Sequence, residues 1–249
     1  MQIKILAFCG SSRRDSLNQK LLDIVVLGAL DAGAQVSNIR LRDFPLPIYD
    51  GDWETEHGLP ERARALKALI AEHHALLIAT PEHNGGYTAL LKNALDWASR
   101  PVESDPTGLE VFAGKVAAIV SASPGVLGGM RAQIALQISL NKLGLLVIPN
   151  SFALGLAHQG FDEKWLLKDA NADKSVRGLG AALVTTANTL APKSKPIAAE
   201  KTGAPAPAPK IVGAPAIDDP ALFQVEPIAY GYELKTEWRR IGKAKTATR

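Results

Sequence analysis

Residues 3–18 read IKILAFC followed by GSSRRDSLN, and this stretch decides the fold. The first seven residues form a short apolar run of the kind that becomes a buried strand. In the polar turn that follows, Gly10 allows the chain to bend sharply, and a helix is predicted from Leu17 to Ala32. A strand, a turn and a helix in this order are typical of an α/β fold.

The turn carries side chains that suit a phosphate. Ser11 and Ser16 supply hydroxyl donors, and Arg13 supplies a planar fork of N–H groups. The helix that follows directs its free N–H groups and the positive end of its dipole to the same place. A helix cap made by Ser16 or Asp15 would account for one of these residues but not for the set. The turn lacks the glycine patterns of dinucleotide folds and triphosphatases, and therefore favours a terminal phosphomonoester.

Strand-like and helix-like segments alternate along the first 150 residues. The predicted strands are Ile3–Cys9, Gln35–Arg40, Ala75–Thr80, Lys115–Ser121 and Leu145–Ile148, and the predicted helices are Leu17–Ala32, Pro60–Glu72, Tyr87–Arg100 and Met130–Leu143. Three of the strands are apolar throughout, which is typical of strands buried on both faces of a parallel sheet. The prediction is a doubly wound, five-stranded parallel sheet with helices on both faces. Ligands bind such sheets beyond the carboxyl ends of the strands.

Two further strand ends carry loops that suit a flat ligand. After the third strand, residues 80–87 read TPEHNGGY, which combines a stiff exit at Pro81 with residues that tolerate positive φ. After the fourth strand, residues 121–131 read SASPGVLGGMR. Bare backbone N–H groups in such loops can hydrogen-bond a planar heterocycle. Three strand ends at one edge of the sheet therefore predict a composite site for a phosphate and a ring.

These motifs resemble those of the NADPH-dependent FMN reductase family. Residues 10–18 match its G-S-x-R-x-x-S-x-N loop, residues 81–85 its P-E-Y-N-[GH] loop, residues 91–97 its L-K-N-A-[IL]-D-W helix, and residues 128–131 its G-G-x-R turn. The resemblance covers about residues 1–155. It departs from the family at His83, where Tyr is usual, and an imidazole covers less of a flat ring.

The resemblance implies a flavodoxin-like fold, bound FMN, and hydride transfer from NAD(P)H, with NADPH favoured, through the flavin to a small acceptor. The acceptor would be a quinone, an azo compound, a metal oxyanion or free flavin. The flavin residues that it implies are Ser11, Arg13, Ser16, Leu17 and Asn18 at the phosphate, Pro81, Glu82, His83, Asn84 and Gly85 along the isoalloxazine, and Ser121, Ser123 and Gly125 on its other side. Arg100 and Arg131 are candidates for gripping the NADPH phosphate. The flavin carries the chemistry, so no catalytic side chain is required.

Two other functions stay open at this point. One is a non-enzymatic electron carrier of the flavodoxin type, and the other is a flavin-binding interaction protein whose tail docks on a partner. Such carriers are usually strongly acidic, whereas residues 1–191 hold 18 Lys and Arg against 19 Asp and Glu. Residues 192–249 hold ten against six, so the basic excess lies in the tail. That placement argues against a nucleic-acid binder, which needs a basic face on the folded domain.

Composition divides the chain into three parts. We expect a flavodoxin-like domain over residues 1–190, a linker rich in Pro and Ala over 191–217, and a basic tail over 218–249 that is able to dock. A helix is predicted over residues 161–190, with Trp165 among its apolar positions.

Location, assembly and metal binding are predicted from smaller signals. A single cysteine, Cys9, fits a buried thiol in a reducing cytosol. The absence of a signal-peptide pattern and of long apolar runs predicts a cytoplasmic protein that does not enter a membrane. Trp53 and His57 are predicted in a surface loop, and the adjacent His73 and His74 point apart, so no metal site is expected. The resembled family commonly forms dimers or tetramers, which predicts a homo-oligomer.

Overall fold

Five apolar segments pair into one parallel sheet in the computed structural model, which describes residues 2–190. The strands are β1 (Lys4–Cys9), β2 (Gln35–Arg40), β3 (Ala75–Ala79), β4 (Val116–Ala122) and β5 (Leu146–Leu154). Their order across the sheet is β2-β1-β3-β4-β5. The direction of winding reverses between β1 and β3, and ligands of such sheets bind at this switch point, beyond the carboxyl ends of the strands.

Helices cover both faces of this sheet. They are α1 (Leu17–Asp31), α2 (Gly51–His57), α3 (Glu61–Glu72), α4 (Ala89–Ala98), α5 (Met130–Lys142), α6 (Ala157–Gly160) and α7 (Ala170–Leu190). Alternate residues of β1 enter opposite cores: Ile5 and Ala7 pack with α1 and α7, whereas Leu6 and Phe8 pack with α3, α4 and α5. The predicted fold class, a doubly wound sheet with helices on both faces, is confirmed.

Three of the predicted elements are wrong in their extent or type. The last strand continues past Ile148 to Leu154 and includes Pro149, which an edge strand tolerates because one side of its backbone has no strand partner. The predicted loop that holds Trp53 is instead the short helix α2, which Asp50 caps by accepting from the N–H of Asp52 and of Trp53.

The third error concerns the predicted helix over residues 161–190. Residues 161–169 form a tight turn, closed by a bridge between Phe161 and Leu167. The helix begins at Ala170, because the carboxylate of Asp169 accepts from the N–H of Asn171 at 2.8 Å. The spacing of the apolar residues predicted one helix over residues 161–190, so it indicated neither the turn nor the cap.

The predicted linker 191–217 and tail 218–249 lie outside the described residues. Among residues 2–190, no helix combines the length and the apolar character that crossing a membrane requires.

Helices α1 and α7 approach each other closely because glycines line their contact. A Cβ atom on Gly180 would lie 2.6 Å from the backbone nitrogen of Ala29 and closer still to the carbonyl oxygen of Val25. A Cβ atom on Gly28 would likewise collide with the carbonyl of Arg177. By contrast, a Cβ on Gly178, also on α7, would meet no atom within 4 Å.

Replacing glycine by alanine on α7 should therefore change the free energy of unfolding differently at Gly180 and at Gly178. Gly180→Ala should lower the free energy of unfolding by about 1–3 kcal/mol, since it overpacks the contact with α1. The control, Gly178→Ala, should leave it unchanged or raise it by up to about 1 kcal/mol, because alanine favours the helix. Urea unfolding of both variants measures the difference. Equal effects at the two positions would contradict the close packing.

Candidate active site

The loops after β1 and β3 are joined by Thr88. Its Oγ1 donates to the carbonyl oxygen of Gly10 at 2.7 Å and accepts from the N–H of Leu91, so it also caps α4. A Cβ on Gly10 would lie 2.9 Å from this hydroxyl oxygen, which explains the glycine. Sequence reasoning missed Thr88, and its signal was the usual one for a cap: a threonine just before an apolar helical run.

The polar turn after β1 ends at the N-terminus of α1. Ser16 is buried and caps the helix, because its Oγ accepts from the N–H of Gln19 at 3.2 Å. Ser11 is half-buried, and its Oγ accepts from the N–H of Arg13 at 3.3 Å. The Ser11 hydroxyl therefore keeps its hydrogen atom for donation, whereas Ser16 Oγ also lies 3.9 Å from Cys9 Sγ, in a contact where either atom can donate. Arg13 is exposed, and its guanidinium has no acidic partner within residues 2–190.

Asn18, predicted at the phosphate, binds the backbone of β4. Its side chain is buried; its Nδ2 donates to the carbonyl oxygen of Ala122 at 2.7 Å, and its Oδ1 accepts from the N–H of Ala122 at 2.8 Å. Both ends of the amide thus hold the last residue of β4. Asn18 positions the loop after β4 against the start of α1.

The loop after β3 turns back on itself at its tip. His83 and Gly86 exchange two backbone hydrogen bonds, and Asn84 and Gly85 between them have φ values of +52° and +80°. Two positive φ values in a two-residue turn are the geometry that Asn-Gly favours. The positive φ expected at Asn84 and Gly85 is confirmed, and His83, Asn84 and Gly85 are all exposed.

Glu82 connects the loops after β3 and β4. Its carboxylate accepts from the backbone N–H of Arg131 at 3.2 Å and from the Nε–H of Arg131 at 2.6 Å. Because Gly129 has no side chain to cap α5, this carboxylate supplies the negative charge that a helix N-terminus favours. The hydrogen bond from Arg131 lowers the pKa of Glu82. Glu82, predicted along the ring, and Arg131, predicted at the NADPH phosphate, are therefore paired with each other.

Ser121 supports the loop after β4 from behind. It is fully buried, its Oγ donates to the carbonyl oxygen of Gly128 at 2.7 Å, and the same oxygen accepts from Nε2 of Gln133 at 2.6 Å. Ser121, predicted beside the ring, thus has a buried side chain whose hydroxyl is bonded to Gly128 and Gln133. The outer surface of the loop consists of Ser123, half-buried, and Gly125, exposed, whose N–H donates to Ser123 Oγ at 3.1 Å.

Arg100 is also engaged, at the far end of α4. Its Nε–H donates to Glu54 of α2 at 2.8 Å, and its guanidinium carbon lies 5.0 Å from the centroid of the Tyr49 ring. The same region explains part of the motif over residues 91–97. Asn93 and Trp97 both donate to the carbonyl oxygen of Pro47, so they fix the segment after β2.

Neither a thiol nucleophile nor a metal cluster is found at this edge of the sheet. Burial raises the pKa of the Cys9 thiol to about 11, which keeps it protonated. Within residues 2–190, no three His, Cys, Asp or Glu side chains gather as metal ligands would.

A family model decides the relationship of the chain. The model of the NADPH-dependent FMN reductase family matches residues 3–159, the part that holds all three loops. The chain belongs to this family. It is therefore an NAD(P)H-dependent oxidoreductase that works with FMN, and the alternative of a non-enzymatic carrier is set aside.

Individual relatives agree with this assignment. A 2-hydroxy-1,4-benzoquinone reductase from a Burkholderia species is 41% identical over 134 residues, which are 53% of this chain and 67% of the relative. An NAD(P)H-dependent FMN reductase from Pseudomonas aeruginosa is 34% identical over 177 residues, 70% of this chain and 90% of the relative. Among solved structures, the flavoenzyme NAD(P)H:(acceptor) oxidoreductase FerB from Paracoccus denitrificans has a TM-score of 0.64 and 29% identity, covering 76% of this chain and 98% of that one.

The donor set of the reductase fits FMN. A phosphate at the N-terminus of α1 would meet the hydroxyl groups of Ser11 and Ser16 and the guanidinium of Arg13, which has no acidic partner among residues 2–190; together these groups suit an anion with several oxygens. The backbone of the exposed turn at Asn84 would be open to a flat ring.

Replacing Asn18 should lower the stability of the fold more than the affinity for a phosphate-bearing ligand. Asn18→Ala leaves the buried N–H and carbonyl of Ala122 without partners, so the free energy of unfolding should fall by about 1–3 kcal/mol. The control Asn141→Ala, at an exposed position late in α5, should change it by less than about 0.5 kcal/mol. Denaturant unfolding measures both. A stable Asn18→Ala protein that loses only its affinity for phosphate-bearing ligands would contradict the positioning role.

Proposed function

We propose that this reductase holds the FMN phosphate on residues 11–17 and the isoalloxazine between the loops after β3 and β4. The observation that carries the proposal is the exposed Arg13, which has no ion pair within the described residues 2–190, beside two hydroxyls at the positive end of α1. An anion there gains charge-assisted hydrogen bonds and a favourable interaction with the helix dipole. The backbone N–H of Leu17, in the first turn, belongs to the same cradle.

Contacts with the ring are assigned to the exposed parts of the other two loops. Pro81, His83, Asn84 and Gly85 lie on one of them, and Ser123 and Gly125 on the other. Three predicted site residues act on the ring indirectly, by holding these loops in place: Glu82, Ser121 and Asn18. Their polar atoms already bind protein groups of the loops.

When bound, FMN supplies the hydride chemistry, taking a hydride from NAD(P)H and passing it to an acceptor. The residues of the chain bind and orient it. Asn18 and Thr88 fix the three loops relative to one another. The hydrogen bond between Glu82 and Arg131 sets the spacing of the loops after β3 and β4, which would hold the ring. Rigid loops of this kind hold reacting atoms in place without a catalytic acid or base.

NADPH is the proposed donor and a quinone the proposed acceptor. Of the two arginines considered for the NADPH phosphate, Arg131 is the better candidate, because 63% of its side chain is exposed against 35% for Arg100. The quinone follows from relatives whose names describe quinone reductases, including the benzoquinone reductase.

The assembly and the domain boundaries are proposals as well. Met130, Ile134 and Ile138 form an exposed apolar row along α5, which supports a homodimer or homotetramer. We keep the division into a domain of residues 1–190, a linker of 191–217 and a tail of 218–249. A cytoplasmic location is supported by the single, buried cysteine.

The phosphate assignment predicts a selective loss in one variant. Arg13→Ala should weaken FMN binding roughly ten- to a hundredfold, because a charge-assisted hydrogen bond contributes about 1.5–3 kcal/mol. Riboflavin, which lacks the phosphate, should bind almost as it does to the unmodified chain. Fluorescence titration of both flavins measures this, and Arg64→Ala, an exposed arginine of α3, is the control. Equal loss for both flavins would place Arg13 elsewhere, and a chain that binds no FMN would overturn the proposal.

The acceptor is tested by turnover of the FMN-loaded protein. NADPH oxidation should be sustained when 1,4-benzoquinone is present and slow when it is absent. An azo dye and free FMN, supplied in place of the quinone, test the other acceptors. Faster turnover with either would reject the quinone as the preferred acceptor. No sustained oxidation with any acceptor would argue against the enzymatic function itself.

A further inference from the structure

Trp165 holds an unfavourable backbone conformation beside the polar turn. Its φ is +62°, in the left-handed region, where a bulky side chain is rarely found. The surrounding turn enforces this conformation, since the Asp162 carboxylate accepts from the N–H of Lys164 at 2.8 Å and of Leu166 at 2.9 Å. Strain of this kind persists only where the neighbouring structure maintains it.

The indole of Trp165 covers the ammonium group of Lys20. The Lys20 Nζ lies 3.0 Å from the centroid of the indole ring, which is a cation–π contact. Lys20 also forms an ion pair with Asp15, and only 12% of its side chain is exposed. Two parts of the chain that are distant in sequence therefore meet at one cation.

The ammonium group of Lys20 lies back toward the polar turn that precedes α1. It is the fourth residue of α1, and side chains on a helix lean toward the helix N-terminus. The pair with Asp15, one residue before the cap Ser16, shows that the ammonium reaches back to the polar turn. Phe161 and Leu167, which anchor the strained turn, are buried in the same core against which Leu17 packs.

The charge balance at this point favours an added anion. A cation at the positive end of a helix dipole is unfavourable unless a negative group compensates it. Asp15 is the acidic partner of Lys20 in the described residues, and its side chain is 76% exposed, so solvent screens it. Arg13 adds a further positive charge to the same turn. A phosphate dianion would neutralise this excess.

We propose that Lys20 is a second cation for the FMN phosphate and that Trp165 is a positioning residue that keeps it at the polar turn. This inference rests on the proposed function. It extends the phosphate site to a segment, residues 161–168, that lies beyond the part matched by the family model. The strained turn thus contributes to selectivity for FMN over riboflavin.

Binding of FMN and riboflavin to the full chain tests the inference. Lys20→Met keeps the aliphatic stem and removes the charge, so FMN affinity should fall about tenfold while riboflavin affinity changes less than about twofold. Lys20→Arg should restore most of the preference for FMN. Trp165→Leu should cost about two- to fivefold in FMN affinity alone, in line with the strength of a cation–π contact. Lys174→Met, at an exposed position on α7, is the charge-matched control.

Salt and the unmodified chain provide the decisive comparisons. The FMN affinity of Lys20→Met should depend less steeply on salt than that of the unmodified chain, because one ionic contact is missing. Equal losses for FMN and riboflavin, or no loss for either, would overturn the role of Lys20. An unmodified chain that does not prefer FMN to riboflavin would instead overturn the proposed phosphate site. If Arg13→Ala removes the preference for FMN over riboflavin and Lys20→Met does not, the role of Lys20 is overturned and the proposed phosphate site stands.

Discussion

The two hydrogen bonds between Asn18 and Ala122 are the constraint on which the site depends. β1 and β4 are not neighbours in the sheet, since β3 lies between them. The loops that follow them would be independent if only backbone pairing held the strands. Because the amide of Asn18 satisfies both backbone groups of Ala122, the start of α1 is tied directly to the end of β4. The link from Thr88 to Gly10 then adds the loop after β3.

Ion pairing distinguishes Arg13 from the other two arginines that were predicted to bind an anion. Arg131 is paired with Glu82 and joins the loops after β3 and β4, whereas Arg100 is paired with Glu54 and joins α4 to α2. Arg13 has no acidic partner in the described part of the chain, although its guanidinium has the same donors as those of Arg131 and Arg100. A guanidinium without an ion pair in the described residues is free to receive an anion there, as the proposed phosphate site requires, and the positive end of the α1 dipole favours the same charge.

The strands and the ligand loops could be predicted because their signals are local. Continuous apolar runs indicate buried parallel strands, and Asn84-Gly85 indicates a turn with positive φ, whatever lies elsewhere in the chain. The tasks of Asn18, Glu82 and Ser121 could not be predicted in this way. Each looks like a ligand-binding residue by type and position, but its hydrogen-bond partner is contributed by another element of the sheet edge. Side-chain partners are settled by tertiary packing, which no local pattern records.

The segment after the family match is part of the same folded unit. Val176, Leu179 and Leu183 of α7 are buried in the core that also contains α1 and one face of the sheet. Without α7, the apolar side of α1 and this face of the strands would meet water, at a cost of about 25 cal/mol for each Å² of apolar surface. The glycine contact at Gly28 and Gly180 brings the two helices too close for any other side chain. The turn that precedes α7 is held beside the polar turn by that same packing, so the residues that complete the core also bring Trp165 to Lys20.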